Sequence, residues 1–184
     1  MSRQQQRARH WGLGGLALLI VVVWCRRRYD DYVRWMYRGG RPHWWARWQN
    51  RASARAFAAG LWPQRAATLE VRGRRSGRLI ALPVVITAYE GERYLVSMLG
   101  EQANWVRNVR AAGGQAVLRH GQREAVRLEE VAVAQRPAIL RRYLALAPGA
   151  RPHIPIGRTA PLADFAPIAP RIPVFRIVRD SSAQ

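Results

Sequence analysis

The densest group of chemically useful side chains is Arg72-Gly73-Arg74-Arg75-Ser76-Gly77-Arg78. Four arginines surround a turn whose two glycines permit positive φ and close backbone approach. Main-chain N–H groups and a serine hydroxyl in such a turn cradle an anion, and guanidinium adds bidentate contacts to phosphate. Alone, the motif specifies phosphate or another anion and no reaction; a solvated basic hairpin has the same composition.

Elsewhere the sequence offers little for self-contained catalysis. Glu129 and Glu130 are neighbours on an expected strand, so they point to opposite faces and cannot act as a dyad. His10, His43, His120 and His153 lie far apart without metal-ligand spacing, so no metal site is expected. Neither Ser76 nor Ser97 has a His/Asp pattern near it. The 184 residues carry a net charge of +20, and all 31 basic side chains are arginine. Without lysine there is no Schiff base, P-loop lysine or lysine general base. A single cysteine, Cys25, excludes an intrachain disulfide and a cysteine-built metal centre. An enzyme of this composition draws its reactivity from a cofactor.

The elements that must hold the basic turn follow from periodicity. Leu69 and Val71 alternate with Glu70 and Arg72 as a strand entering the turn. Residues 78–88 form a longer apolar run, expected as a strand buried on both faces, with Pro83 implying a bulge or an unpaired N–H. A hairpin at Glu90-Gly91-Glu92 leads to a strand at 94–98. Residues 104–112 read as a helix ended by Gly113-Gly114. Strands at 116–118 and 125–133 follow, then a helix at 137–146 with Pro137 in its first turn. Residues 148–173 hold seven prolines and read as a long covering loop. A last strand runs from 172 to 178. About six mostly antiparallel strands with two or three helices indicate a small α+β barrel.

The N-terminal third differs in kind. Residues 1–65 hold thirteen arginines against two acids, and seven of the eight tryptophans. The uncharged run Trp11–Cys25 spans roughly 22 Å as a helix, short of a ~30 Å hydrocarbon core, but tryptophan at both ends and arginine on both flanks fit a membrane anchor. A cleaved signal peptide is the main rival and a soluble helix the other. Residues 29–48 mix aromatics at helical spacing with arginines, as in a segment lying on anionic lipid. The alternatives there are a helix packed on the domain, a loop around Gly39–Pro42, or stacking on nucleic acid; none of these is preferred to lipid. The expected division is a basic tail and anchor helix (1–28), a juxtamembrane segment (29–49) and a barrel domain (50–184), the latter on the cytoplasmic side by arginine bias. An Asn50–Leu61 helix would open the domain.

Leu69 to Arg78, Pro83, Tyr94-Leu95-Val96-Ser97, Asn104-Trp105-Val106-Arg107-Asn108-Val109-Arg110-Ala111 and Pro173-Val174-Phe175-Arg176 together resemble the deazaflavin-dependent nitroreductase and quinone reductase family. The resemblance covers roughly residues 50–180 in order. It implies a split β-barrel oxidoreductase that binds coenzyme F420, with FMN as the alternative, and passes a hydride to a quinone-like or nitro-type small-molecule acceptor. By position, Arg74, Arg75, Ser76 and Gly77 would hold the phosphate region, with Arg78 standing in for a basic residue the family has where Ile80 lies. Pro83 and Val84 would lie along the ring, Ser97 to Gly100 would line ring or tail, and Trp105 and Asn108 would set the covering helix. Acceptor-pocket tyrosines of the family fall at Val85, Ala150 and His153. A barrel of this kind binding an anionic cofactor or lipophilic ligand without catalysis is the second expectation, and a homodimer is an expected assembly.

Overall fold

A computed structural model describes residues 24–180 apart from 26, 39–41 and 62–64. Helix α1 occupies residues 27–36 and α2 runs Trp44–Ala58. Strands follow as β1 (Ala66–Arg72), β2 (Leu79–Val85), β3 (Thr87–Tyr89) and β4 (Glu92–Val96). Helix α3 (Asn104–Ala111) separates these from β5 (Gln115–His120) and β6 (Gln122–Glu130). Helix α4 (Arg136–Leu146), the short α5 (Leu162–Phe165) and β7 (Val174–Arg179) complete the chain.

The seven strands form one antiparallel sheet in the order β2-β1-β5-β6-β7-β4-β3. It curls until β2 approaches β4 without pairing to it, leaving a seam, which is the geometry of a split half-barrel. The apolar members of the alternation face inward: Leu69 and Val71 from β1, Leu118, Leu128, Phe175 and Ile177 from the later strands. Val106 and Val109 of α3 join them, so α3 closes the barrel. A second core lies outside the sheet, where Leu140 and Leu144 of α4 meet Phe165, Ile154 and Val174.

The expected central strand at 78–88 is corrected in two ways. It divides into β2 and β3, and β2 sits at the sheet edge with both faces partly exposed. The strand buried on both faces is β1, although its outward residues are polar. Thr68 donates its hydroxyl to the Ala54 carbonyl of α2 at 2.5 Å, and the Glu70 carboxylate accepts from Arg119 and Arg123 at 3.2 and 3.4 Å. Satisfied polar groups can be buried.

Pro83 causes no break in the ladder. The Gly73 N–H donates to Arg78 O, and Ile86 N–H donates to Arg65 O. The alternation of an antiparallel pair then makes the Thr68–Pro83 position a non-hydrogen-bonded one, where the missing N–H faces the open edge.

Helix α2 begins at Trp44, ahead of the expected Asn50, because His43 and the aromatics after it pack with α1. Val33, Met36 and Ala46 form a small core between the two helices. The covering segment 148–173 contains α5 and tight 3-10 turns. Among the described residues no helix is long and apolar enough to cross a membrane; the run from Trp11 lies outside the described residues as far as residue 23.

Candidate functional site

The basic turn joins β1 to β2 and is closed by its own main chain. Gly73 N–H donates to Arg78 O, and Gly77 N–H donates to Gly73 O, both at 2.8 Å. Gly77 has φ +65, a conformation that costs other residues about 1–2 kcal/mol. At Gly73 a Cβ would lie 2.9 Å from both Ser76 Oγ and Ile80 Cδ1 and 3.2 Å from Arg78 O, so a larger residue would have to displace those side-chain ends. Ser76 folds inward and accepts from the Arg78 N–H at 3.4 Å. Arg72 donates to Gly77 O at 3.1 Å.

The arginines divide into two kinds. Arg74 is held by α3: its guanidinium donates to Asn108 Oδ1 at 2.8 Å and to Asn104 Oδ1 at 3.4 Å, and its main-chain N–H also reaches Asn108 Oδ1 at 3.3 Å. Asn108 is buried. Arg75 and Arg78 are exposed, and their guanidiniums have no hydrogen-bond or ion-pair partner among the described residues. These two are free to receive an anion.

The other expected residues are placed as follows. Pro83 and Val84 are half-buried on β2, continuous with the turn. Leu79, at the start of that strand, is 60% exposed. Trp105 is half-buried on α3 with its ring 5.5 Å from that of Phe175. Ser97 is fully buried; its hydroxyl donates to Gly100 O at 2.9 Å and its N–H to Pro173 O at 3.0 Å. Gly100 has φ +69, and a Cβ there would lie 2.8 Å from Arg171 O. Ser97 and Gly100 thus shape the tight approach to α3. The structure brings the turn, α3 and β2 together, while Ser97 and Gly100 satisfy each other.

Asn104 was not among the expected site residues, yet it shares the grip on Arg74 with Asn108. The signal was its spacing: residues four apart lie on one helix face. Helix α3 is also fixed at its far end. Arg110 bridges Glu101 at 2.6 Å and Glu130 at 2.8 Å, and Glu130 in turn accepts from buried Arg136 at 2.9 Å. The hydrogen bond from Arg110 lowers the Glu101 pKa. His153 packs its ring edge-on to Tyr37, the residue that follows α1, with centroids 5.4 Å apart. Its Nε2 is buried without a hydrogen-bond partner, and burial, with Arg34 nearby, lowers its pKa.

A hollow of about 820 Å³ lies between β3, β4, β6, β7, α4 and α5, away from the turn. No sequence-predicted site residue lines it, and its charged lining is Glu90, Glu129 and Glu130 against Arg176. Arg176 is already paired with Glu129 at 2.7 Å, which leaves a polyanion no free cation there among the described residues, so the basic turn is the better anion site.

A basic turn with two free guanidiniums, leading into a half-buried apolar strand, fits a molecule with a flat apolar ring and an anionic tail. F420 has both parts. No curated protein matches the sequence. Among solved structures, similarity extends to a protein of unknown function from Agrobacterium tumefaciens (15% identity, 68% of this chain and 53% of that one, TM-score 0.48). It extends also to the F420-H2 dependent reductase FDR-A (17%, 62% and 94%, 0.44) and to a FAD-binding protein from Mesorhizobium loti (16%, 70% and 91%, 0.43). The chain spans about half the length of the Agrobacterium protein. The sequence model of the F420H(2)-dependent quinone reductases matches residues 45–151, which include the turn, β2, α3 and Asn108. With more than half of its length so matched, the chain belongs to the F420H(2)-dependent quinone reductase family.

Proposed function

We propose that the protein oxidises reduced F420 at the seam beside β2 and passes the hydride to a quinone-like or nitro-type acceptor. The observation that carries this reading is the continuity of the free Arg75 and Arg78 with the half-buried strand β2. When bound, reduced F420 supplies the hydride; the protein's contribution is position and exclusion of water. Arg75 and Arg78 bind the phosphate and acidic tail. Arg74, gripped by Asn104 and Asn108, holds the turn in the shape that aims them. Pro83 and Val84 give the ring an apolar wall, and Trp105 supports α3 at its flank. Membership of the family favours F420 over FMN.

Membrane association through residues 11–48, with the barrel on the cytoplasmic side, belongs to the same reading and is supported by the arginine-flanked apolar run. So does a homodimer, which sedimentation equilibrium tests directly. The activity is tested with the full-length protein, reduced F420 and a menaquinone analogue or a nitroaromatic compound. Oxidation of the cofactor that requires both protein and acceptor is expected. Tight binding without oxidation across several acceptors would instead establish a non-catalytic cofactor carrier.

A further inference from the structure

We propose that α1 and α2 present one continuous aromatic face that lies in the headgroup region of an anionic bilayer, forming a contact separate from the apolar run at 11–25. The inference rests on the membrane association proposed above and specifies its second point of attachment.

The face is built from side chains that touch in sequence. Tyr32 neighbours Trp35 with centroids 6.2 Å apart, Trp35 neighbours His43 at 4.8 Å, and His43 neighbours Trp44 at 5.8 Å. Trp44 meets Trp45 edge-on at 5.8 Å, and Trp45 stacks on Trp48 at 5.2 Å. The indole N–H of Trp45 donates to the Tyr32 hydroxyl at 2.9 Å, which closes the group back onto α1. Such a cluster would normally be a core. Here Trp44 is 62% exposed, Trp48 58% and Trp35 44%. The hairpin's true core is on its other side, where Val33, Met36 and Ala46 are buried.

Charge selects the occupant. Residues 27–61 hold eight arginines against Asp30 and Asp31. A second copy docked face to face would bring that positive charge against itself, since a two-fold interface presents the same patch on both sides. An anionic bilayer complements it. Tryptophan and tyrosine favour the headgroup level, where an amphipathic ring is half in water, and each arginine near an anionic leaflet adds attraction. The hairpin is also tied to the domain, so that lipid contact orients the barrel: Arg34 donates to Pro152 O at 3.3 Å, and the Tyr37 ring packs edge-on to His153 with centroids 5.4 Å apart.

The test uses the full-length chain with Cys25→Ser. Trp48→Cys carries an environment-sensitive NBD label, and Ala111→Cys on α3 carries the same label as a reference. Vesicles are phosphatidylcholine alone or mixed with phosphatidylglycerol. The expected result is a blue shift and a several-fold emission gain at position 48 with phosphatidylglycerol vesicles only, and no change at position 111. Co-sedimentation without a shift at position 48 would overturn the aromatic face and leave the apolar anchor standing. Failure to co-sediment would overturn both membrane contacts while F420 oxidation, measured without vesicles, would be untouched. A blue-shifted label at position 48 before lipid is added, with a dimer by sedimentation equilibrium, would assign the face to a second copy and overturn the lipid assignment.

Discussion

A single carboxamide oxygen, Oδ1 of Asn108, accepts both the main-chain N–H and the guanidinium of Arg74. One buried side chain therefore fixes the backbone of the turn and the direction of its first arginine. Asn108→Ala leaves two donors of Arg74 without an acceptor, at a cost of roughly 1–3 kcal/mol. The expected outcome is a lower melting temperature together with weaker F420 binding, although no cofactor contact of Asn108 itself is required. Unchanged affinity by titration would show that the turn holds its shape without α3.

Arg75 and Arg78 should behave differently from Arg74. Each is exposed and makes no internal bond among the described residues, so Arg75→Ala and Arg78→Ala should leave stability unchanged. Charge-assisted contacts at a solvent-exposed site place the loss at about tenfold in F420 affinity for each. Arg74→Ala should lower affinity and melting temperature together. A uniform effect of all three on stability would contradict the division between free and gripped arginines.

Arg136 predicts the largest purely structural effect. Only 5% exposed, it donates to the carbonyls of Val131, Ala169 and Ile172 and pairs with Glu130. Arg136→Ala would strand those acceptors and leave a partly buried carboxylate short of one partner, for roughly 3–5 kcal/mol of destabilisation. Urea denaturation measures this, and a loss below about 1 kcal/mol would mean that water replaces the guanidinium freely.

His153 predicts a pH dependence of α1 docking. Burial first, and Arg34 second, hold its pKa below the ordinary value of 6.5. As pH falls through 6.5 the undocked chain binds the proton before the docked one does, so docking loses stability on acidification. Above 6.5 the contribution is fully present. Protection factors of the amides at residues 33–37, corrected for the intrinsic exchange rate at each pH, should therefore fall from pH 8 to pH 5, and His153→Phe should remove the dependence while keeping the ring against Tyr37. Identical pH profiles for the two proteins would exclude His153 as the cause.

The basic turn, the helix at 104–111 and the antiparallel barrel were legible because each has a local cause: glycines where φ must be positive, apolar residues recurring on one helix face, and alternation by two. The edge position of β2 was not. An apolar run reads alike whether it is covered by neighbouring strands or lies along a seam awaiting a ligand. The same limit hid the structural task of Arg74, since side chains from residues 74, 104 and 108 meet only after the barrel closes. Ser97 was expected to line the ligand, but its hydroxyl is used within its own turn. The extension of α2 back to Trp44 was obscured by aromatics, which are indifferent helix formers and are held there by α1.

Pro83 turns toward the open edge of the sheet a ring nitrogen that carries no hydrogen. A seam strand left uncovered offers its free edge to strands of other molecules, the usual route to β-aggregation. Along that edge, Ala81 and Val85 present N–H groups and Pro83, between them, presents none. A foreign strand meets a missing rung midway and cannot zip along β2, while a flat ring packing on its apolar side chains loses nothing. The proline thus discourages polymerisation of the protein through the edge of β2.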